Sequence, residues 1–425
     1  MAEKLAIAGG SPVCSEKWPT WPSFEKSTIR QAMEPLRTGK VNYWTGTKGM
    51  EFEQKFAEWC GANYGISTAN GTTALHVALS ALGVGPGDEV LCTSYSFIAS
   101  SMCVAQAGAV PVFSDVRRED HTLDPAQLEA KITPKTRAIV PVHLYGNVCD
   151  MDPIMAVARK HKLFVVEDCA QAHGATYKGK KVGTIGCAGA FSFCQSKTFT
   201  TGGEGGCVIT NDENVAWEAR SVRDHGYDVK ERLRLLELEA KLPYIHNRIG
   251  YNFRMTEVQS VIGLCELARI DSWNLANRRR NGEYLNARLK RVREILYLPP
   301  HKNGVVENGF WVYPVVFDID RLNCSVRQII DALVAEGIPA GPVMWPQSYK
   351  ERCYRERRGF GRHNYPFGDP NTSPASVQYD KVLCENAAWL EDRTVTLYTL
   401  HPVYKLKHMR MVVKAVKKVV ANYRK

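Results

Sequence analysis

Between residues 63 and 212 the chain alternates repeatedly between short apolar runs and longer amphipathic ones, and no other feature restricts its fold as strongly. The runs 89–92, 111–113, 138–142, 163–166, 190–193 and 207–210 have the length and residue types of strands. Between several of them, segments 73–82, 99–106, 125–131 and 154–161 carry apolar residues at helical spacing. This order implies an α/β domain with a mainly parallel sheet covered by helices on both faces. Ligands of such sheets bind at the carboxyl ends of the strands, so the polar residues that follow strands are the ones to weigh.

One strand candidate runs directly into unusual chemistry. Residues 189–206 lead through Ser192, Phe193, Cys194, Gln195 and Ser196 to Lys197, and then to Gly202, Gly203, Gly205 and Gly206. A lysine delivered to a tight, backbone-rich turn can react with an aldehyde to form a Schiff base, and desolvation would lower its pKa and free the lone pair. The same pattern also describes a solvated lysine after a strand. Three further strand ends carry polar or aromatic groups. Asn70-Gly71-Thr72-Thr73 opens a helix, and free amides and hydroxyls at a helix start suit a phosphate, although Asn and Thr also serve as plain caps. Glu167-Asp168 ends a strand; a carboxylate there can hold a proton on a heterocyclic nitrogen, or simply face solvent. Tyr95-Ser96-Phe97 offers an aromatic to stack on a ring, or to fill the core.

The remaining sequence frames this domain. Residues 1–50 read as an N-terminal arm, with Trp18-Pro19 and Trp21-Pro22, and with a helix at about 27–34. Residues 51–298 read as the large α/β domain and 299–425 as a smaller α+β domain, with strands near 309–317 and 339–343 and helices near 326–336 and 408–423. The segment 215–241 is charged and helical in pattern; Thr256 and Gln259 form a capping-box pair, and a second helix spans about 277–293. The 13 cysteines include no CxxC pair and no zinc-like spacing, so reduced thiols are expected and no metal site. No run of about 18 apolar residues and no apolar leader core appears, and a soluble cytoplasmic protein is expected. The net charge of +11 is spread over amphipathic helices and a segment, 350–367, that mixes Lys350, Arg352, Arg355, Arg357, Arg358 and Arg362 with Tyr354, Phe360, Tyr365 and Phe367. It contains no nucleic-acid recognition motif, and neither nucleic acid nor membrane is an expected partner.

Phosphate cup, aromatic, carboxylate and lysine together resemble the DegT/DnrJ/EryC1/StrS sugar aminotransferases, fold type I enzymes dependent on pyridoxal 5′-phosphate. The resemblance covers nearly the whole chain through residues 70–75, 165–175, 191–206 and 250–259, the last (GYNFRMTEVQ) being similar to a loop that reaches into the neighbouring subunit. It implies that Lys197 holds the coenzyme and shuttles protons, and that Asp168 pairs with the pyridine nitrogen. By the same resemblance Gln171 contacts the ring hydroxyl, Phe97 stacks on the ring, and Thr72, Thr73 and Ser192, with Asn252 of the partner subunit, bind the phosphate. A homodimer with shared sites is implied. Cys194-Gln195-Ser196 stands where many nucleotide-sugar members have a His-Pro-Thr-type tripeptide. The glutamine is more similar to the branch acting on keto-cyclitols such as scyllo-inosose, with L-glutamine or L-glutamate as donor. The expected reaction is therefore amino transfer to a keto-cyclitol or keto-sugar ketone. A nucleotide-linked keto-sugar, or a non-catalytic regulator on the same fold, are the competing expectations.

Overall fold

The computed structural model describes residues 3–237, 246–301, 304–345 and 347–425. Strands β1 (Tyr64–Thr68), β2 (Glu89–Thr93), β3 (Val110–Ser114), β4 (Thr136–Val140) and β5 (Phe164–Asp168) come first. The short β6 (Thr176–Tyr177) and β7 (Lys180–Lys181) follow, then β8 (Ala188–Ser192) and β9 (Gly206–Thr210). Seven of these form one sheet in the order β1-β9-β8-β5-β4-β2-β3. Every pairing in it is parallel except those of β9, which runs opposite to both β1 and β8. All the other strands therefore end at one edge.

Strand periodicity divides the interior in two. Val90 and Cys92, Ala138 and Val140, Val166, Ala190 and Val208 enter one apolar core, while Leu91, Ile139, Val165, Phe191 and Ile209 between them enter the core on the opposite face. Near-continuous apolar strands are what a sheet buried on both faces requires. Nearly all of these side chains are fully buried, and each valine, leucine, isoleucine or phenylalanine among them contributes about 1.5–3 kcal/mol.

A second sheet is formed by β10 (Ile295–Tyr297), β12 (Tyr313–Phe317), β14 (Thr394–Leu397) and β13 (Ala340–Gly341), all antiparallel. Between them in sequence, β11 (Val306–Glu307) returns to pair with β6. Helices Val326–Ala335 and Leu406–Tyr423 pack on this sheet. The expected division at residue 298 is crossed in both directions. Ile295–Tyr297 already belongs to the second sheet, while Tyr354, Phe367, Val377 and Tyr379 bury themselves in the core of the first. The arm is tied down as well: Glu336 accepts the amides of Ala6 and Val13 and pairs with Lys418.

Several elements differ from expectation. Segment 125–131 forms two 3₁₀ turns, Pro125–Gln127 and Glu129–Lys131, the first capped by the Asp124 side chain. The helical stretch expected over 215–241 is broken into Glu213–Arg223 and Val229–Glu237, and its remainder lies outside the described residues. The helix near 27–34 is divided at Met33 into Lys26–Ala32 and Glu34–Thr38. Of segment 309–317 only Tyr313–Phe317 is strand, and β1 and β14 were not foreseen. Among the described residues no helix is long and apolar enough to cross a membrane.

Candidate active site

The shared strand edge opens on a cavity of about 940 Å³, lined by Thr72, Thr73, Phe97, Asp168, Gln171, Ser192 and Lys197. β1, β2, β5 and β8 each deliver one or more of these seven from their carboxyl ends.

The turn bearing Lys197 is pinned from beneath and behind. Phe193 and Phe199 are fully buried and stack on each other at 4.8 Å, within a cluster that includes Phe52 and Phe56. The Gln195 amide donates to the Gly203 carbonyl at 2.8 Å, and the Gly203 amide donates to Thr200 Oγ1 at 3.0 Å. Gly203 has φ 133°, a conformation that side chains resist, so the turn requires glycine there. The Lys197 chain is buried, with Nζ 4.2 Å from the centre of the Trp311 ring. Burial pushes its pKa down to about 8, a drop that the Asp168 carboxylate partly offsets. At pH 7 roughly one amine in ten is then unprotonated.

Removing that charge penalty has a measurable signature in the coenzyme-free protein. The folded-state pKa lies below the unfolded value of 10.5, so between pH 8 and 10.5 the unfolded chain binds more protons and stability rises with pH. Relative to Lys197→Met, the wild-type protein is expected to gain about 3 kcal/mol across this window and to lose it again as pH falls through 8. Urea denaturation of both proteins at a series of pH values checks this; parallel curves would contradict it.

Asp168 and Glu167 part company because successive strand residues face opposite sides. Glu167 points into the protein, where it accepts the amides of Gly183, Ile185 and Gly186 at 2.7–2.8 Å and lies 3.0 Å from His143 Nε2. Asp168 faces the cavity, accepting the Ser100 hydroxyl at 2.7 Å and the Ala170 amide at 3.1 Å. Burial raises its pKa, with those two hydrogen bonds and Lys197 opposing the rise. Gln171 is oriented by the amide of Tyr145, which donates to its Oε1 at 2.9 Å and leaves its NH₂ group to donate elsewhere.

At the other end of the cavity, helix Gly71–Ala81 begins with a complete capping box between Asn70 and Thr73. Asn70 Oδ1 takes the Thr73 amide; among the described residues, the Gly71 and Thr72 amides are left without an acceptor. Gly71 matters sterically, since a Cβ there would lie 2.5 Å from Ser192 Cβ. That close approach sets Ser192 against the helix start and makes a cradle of hydroxyls and free amides, the chemistry of a phosphate site. Phe97 borders the cavity, 44% exposed, 5.6 Å from Trp345, whereas Tyr95 is core. Asn252 is the one expected residue that does not line the cavity of its own chain. It is exposed, between Tyr251 and Phe253, which do line it.

Sequence reading missed Ser100, Trp311 and Trp345. Trp311 donates its Nε1–H to the Ser196 carbonyl at 2.6 Å and stacks against Trp345 at 6.0 Å. Its position just before a strand was the available signal. The aromatics of 350–367 are mostly packing; of that segment only Phe360 lines the cavity.

This lysine-and-carboxylate edge coincides with a match of residues 22–373 to the model of the DegT/DnrJ/EryC1/StrS aminotransferase family. The chain belongs to that family. As a DegT/DnrJ/EryC1/StrS protein it is an aminotransferase with pyridoxal 5′-phosphate as cofactor, acting on an amino donor and a keto acceptor. It is 44% identical over 306 residues to the GDP-perosamine synthase of Caulobacter vibrioides, a match covering 71% of this chain and 78% of that one. Against the L-glutamine:2-deoxy-scyllo-inosose aminotransferase of Streptoalloteichus tenebrarius it is 33% identical, over 100% and 99% of the two chains. The crystal structure of an aminotransferase from Psychrobacter cryohalolentis superposes with a TM-score of 0.84 at 36% identity, covering 96% of this chain and 99% of that one. The fold type I architecture expected from the sequence is thereby established.

Proposed function

We propose that this aminotransferase moves the amino group of L-glutamine, or of L-glutamate, to the ketone of a scyllo-inosose-type keto-cyclitol. The observation that carries the acceptor class is the extent of similarity: the cyclitol aminotransferase matches from end to end, arm and small domain included. Gln195 in the lead-in to Lys197, exposed at the cavity wall, supports the same branch. The higher identity to a GDP-perosamine synthase, over a shorter part of the chain, favours a nucleotide-linked keto-sugar as the second reading.

Pyridoxal phosphate, when bound, supplies an aldehyde that accepts the amino group and a ring that withdraws electrons. The protein's residues do the rest. Lys197 Nζ holds the reactive end of the coenzyme and, when released, carries a proton between the reacting carbons, a task that suits a base titrating near neutrality. The Asp168 carboxylate, fixed by Ser100 and Ala170, holds the proton on the ring nitrogen. Gln171 donates to the ring hydroxyl and Phe97 covers one ring face. The phosphate is received by Thr72, Thr73, Ser192 and the free helix amides. Asn252 of the partner subunit completes that site in a homodimer, a reading supported by the exposure of Asn252, Ile249 and Tyr251 beside the cavity. The 13 cysteines are all free thiols, which supports a reducing cytoplasmic setting.

The acceptor is tested by a competition screen. With L-glutamine as donor, 2-deoxy-scyllo-inosose is expected to give kcat/KM at least about 100-fold above that for a GDP-linked 4-keto sugar. The reverse order would replace the cyclitol reading by the second one.

A further inference from the structure

Beside the main cavity, and continuous with it through Cys194, Ser196, Glu204 and Met344, lies a second cavity of about 640 Å³. It is walled by Trp21 from the N-terminal arm, Trp311 and Tyr398 from the small-domain side, His401, and the Gln195 and Ser196 lead-in to the lysine. Nothing in the coenzyme roles above uses it. Two contacts attach it to the reacting lysine: Nζ lies 4.2 Å from the Trp311 ring centre, and the Trp21 Nε1–H donates to the Lys197 main-chain carbonyl at 3.3 Å.

The wall is built, not incidental. Trp21 stacks on His401 with ring centres 5.5 Å apart and planes 13° apart. His401 Nδ1 lies 3.3 Å from Arg278 Nη2, which is a donor, so the imidazole accepts there and keeps its proton on Nε2. Burial and the Arg278 charge hold that ring neutral, pushing its pKa to about 3. Arg278 itself is fully buried and spent on the carbonyls of Trp311 and Thr198 and on Asn274. Among the described residues lining this cavity there is no lysine or arginine, and Glu204 adds a carboxylate.

Two indole rings, hydroxyl and amide groups, a neutral imidazole and a lining without lysine or arginine make a poor phosphate site. They fit a neutral, polyhydroxylated ring, whose C–H faces pack on indole while its rim of hydroxyls reaches Tyr398, Gln195 and Ser196. We propose that this second cavity is the acceptor subsite, that it takes an uncharged cyclic polyol, and that Trp21, contributed by the N-terminal arm, determines specificity for it. The proposal rests on the cyclitol reading and gives it a location. It also gives the arm a function: the tryptophan-proline pairs do not only pack the arm on the small domain but also bring one indole to the lysine.

The test uses the holoenzyme and an unreactive probe, scyllo-inositol, with binding followed by calorimetry and GDP as the contrasting probe. The wild-type protein is expected to bind scyllo-inositol, and GDP is expected not to displace it. Trp21→Ala is expected to weaken binding at least tenfold and Trp21→Phe, which keeps a stacking ring, less than threefold. Gln195→Ala, an exposed position safe for folding, provides an independent reading, with an expected loss of about fivefold. Unchanged affinity in Gln195→Ala and Trp21→Ala, or displacement of the probe by GDP, would overturn the proposal. Conversion of the wild-type coenzyme to its amine form by L-glutamine is scored separately; its failure would count against the functional reading, whereas its success with no scyllo-inositol binding would count against the subsite alone.

Discussion

Lys197→Ala is expected to lose at least about 10³-fold in turnover while folding normally. The amine is the only titratable nitrogen among the described residues lining the main cavity apart from His76, whose pKa burial pushes down to about 4. Among the described residues lining this cavity no second amine is placed to take over its covalent role. The same burial that lowers the lysine's pKa means the protein gives up little stability when the amine goes, since the charged form is costly inside the fold. Borohydride is expected to bleach the wild type and leave the coenzyme covalently attached, whereas the variant is expected to give no such adduct and to keep its circular dichroism. In the coenzyme-free protein the rate at which Lys197 takes up pyridoxal phosphate is expected to rise with pH through about 8, the companion signature; a rise complete below pH 6 would assign it to another group.

Asp168→Asn is the second large effect. The asparagine Oδ1 can still accept the Ala170 amide, while its NH₂ group meets Ser100 Oγ, a hydroxyl that can turn to accept, so the local structure survives. It carries no charge with which to hold a proton on a ring nitrogen, and the expected cost is on the order of 10²–10³-fold in kcat with a smaller change in coenzyme affinity. Its neighbour provides the contrast. Glu167→Gln disturbs a buried carboxylate that serves three amides and His143, and is expected to destabilise by about 3 kcal/mol while leaving the coenzyme spectrum unchanged. Comparable loss of kcat in both variants, measured under conditions where both are folded, would contradict the division of labour between these two adjacent acids.

That division also shows what the chain reveals by itself. The pair Glu167-Asp168 was visible as a strand end, but which acid meets the cavity depends on strand phase, and the phase is fixed by pairing: Asp168 lies opposite Ala190 on β8, with both strands' alternate residues committed to their cores. The lysine turn and the capped helix start at 70–73 were legible because each is local, a short run of residues whose backbone demands leave glycines and capping residues in the sequence. Trp311, Trp345 and Trp21 were not legible as site residues. Trp311, just before a second-sheet strand, and Trp21, on the N-terminal arm, meet the lysine turn across sequence separations too long for a local pattern to show the contact, and Trp345 stacks on Trp311. At 125–131 the apolar spacing of a helix goes instead with two 3₁₀ turns, since spacing alone does not separate the two.

The central claim is that Lys197 and its strand-edge partners make this chain a transaminase that loads from an amino acid and discharges to a ring ketone. The most direct measurement follows the coenzyme absorbance of purified protein through one half-reaction at a time. In the wild type, L-glutamine alone is expected to bleach the colour of the bound coenzyme, and 2-deoxy-scyllo-inosose added after donor removal is expected to restore it with release of the aminated cyclitol; in Lys197→Ala neither step is expected at a measurable rate. A wild-type protein whose colour does not respond to any amino donor, or a Lys197→Ala protein that completes both half-reactions at the wild-type rate, would contradict the account.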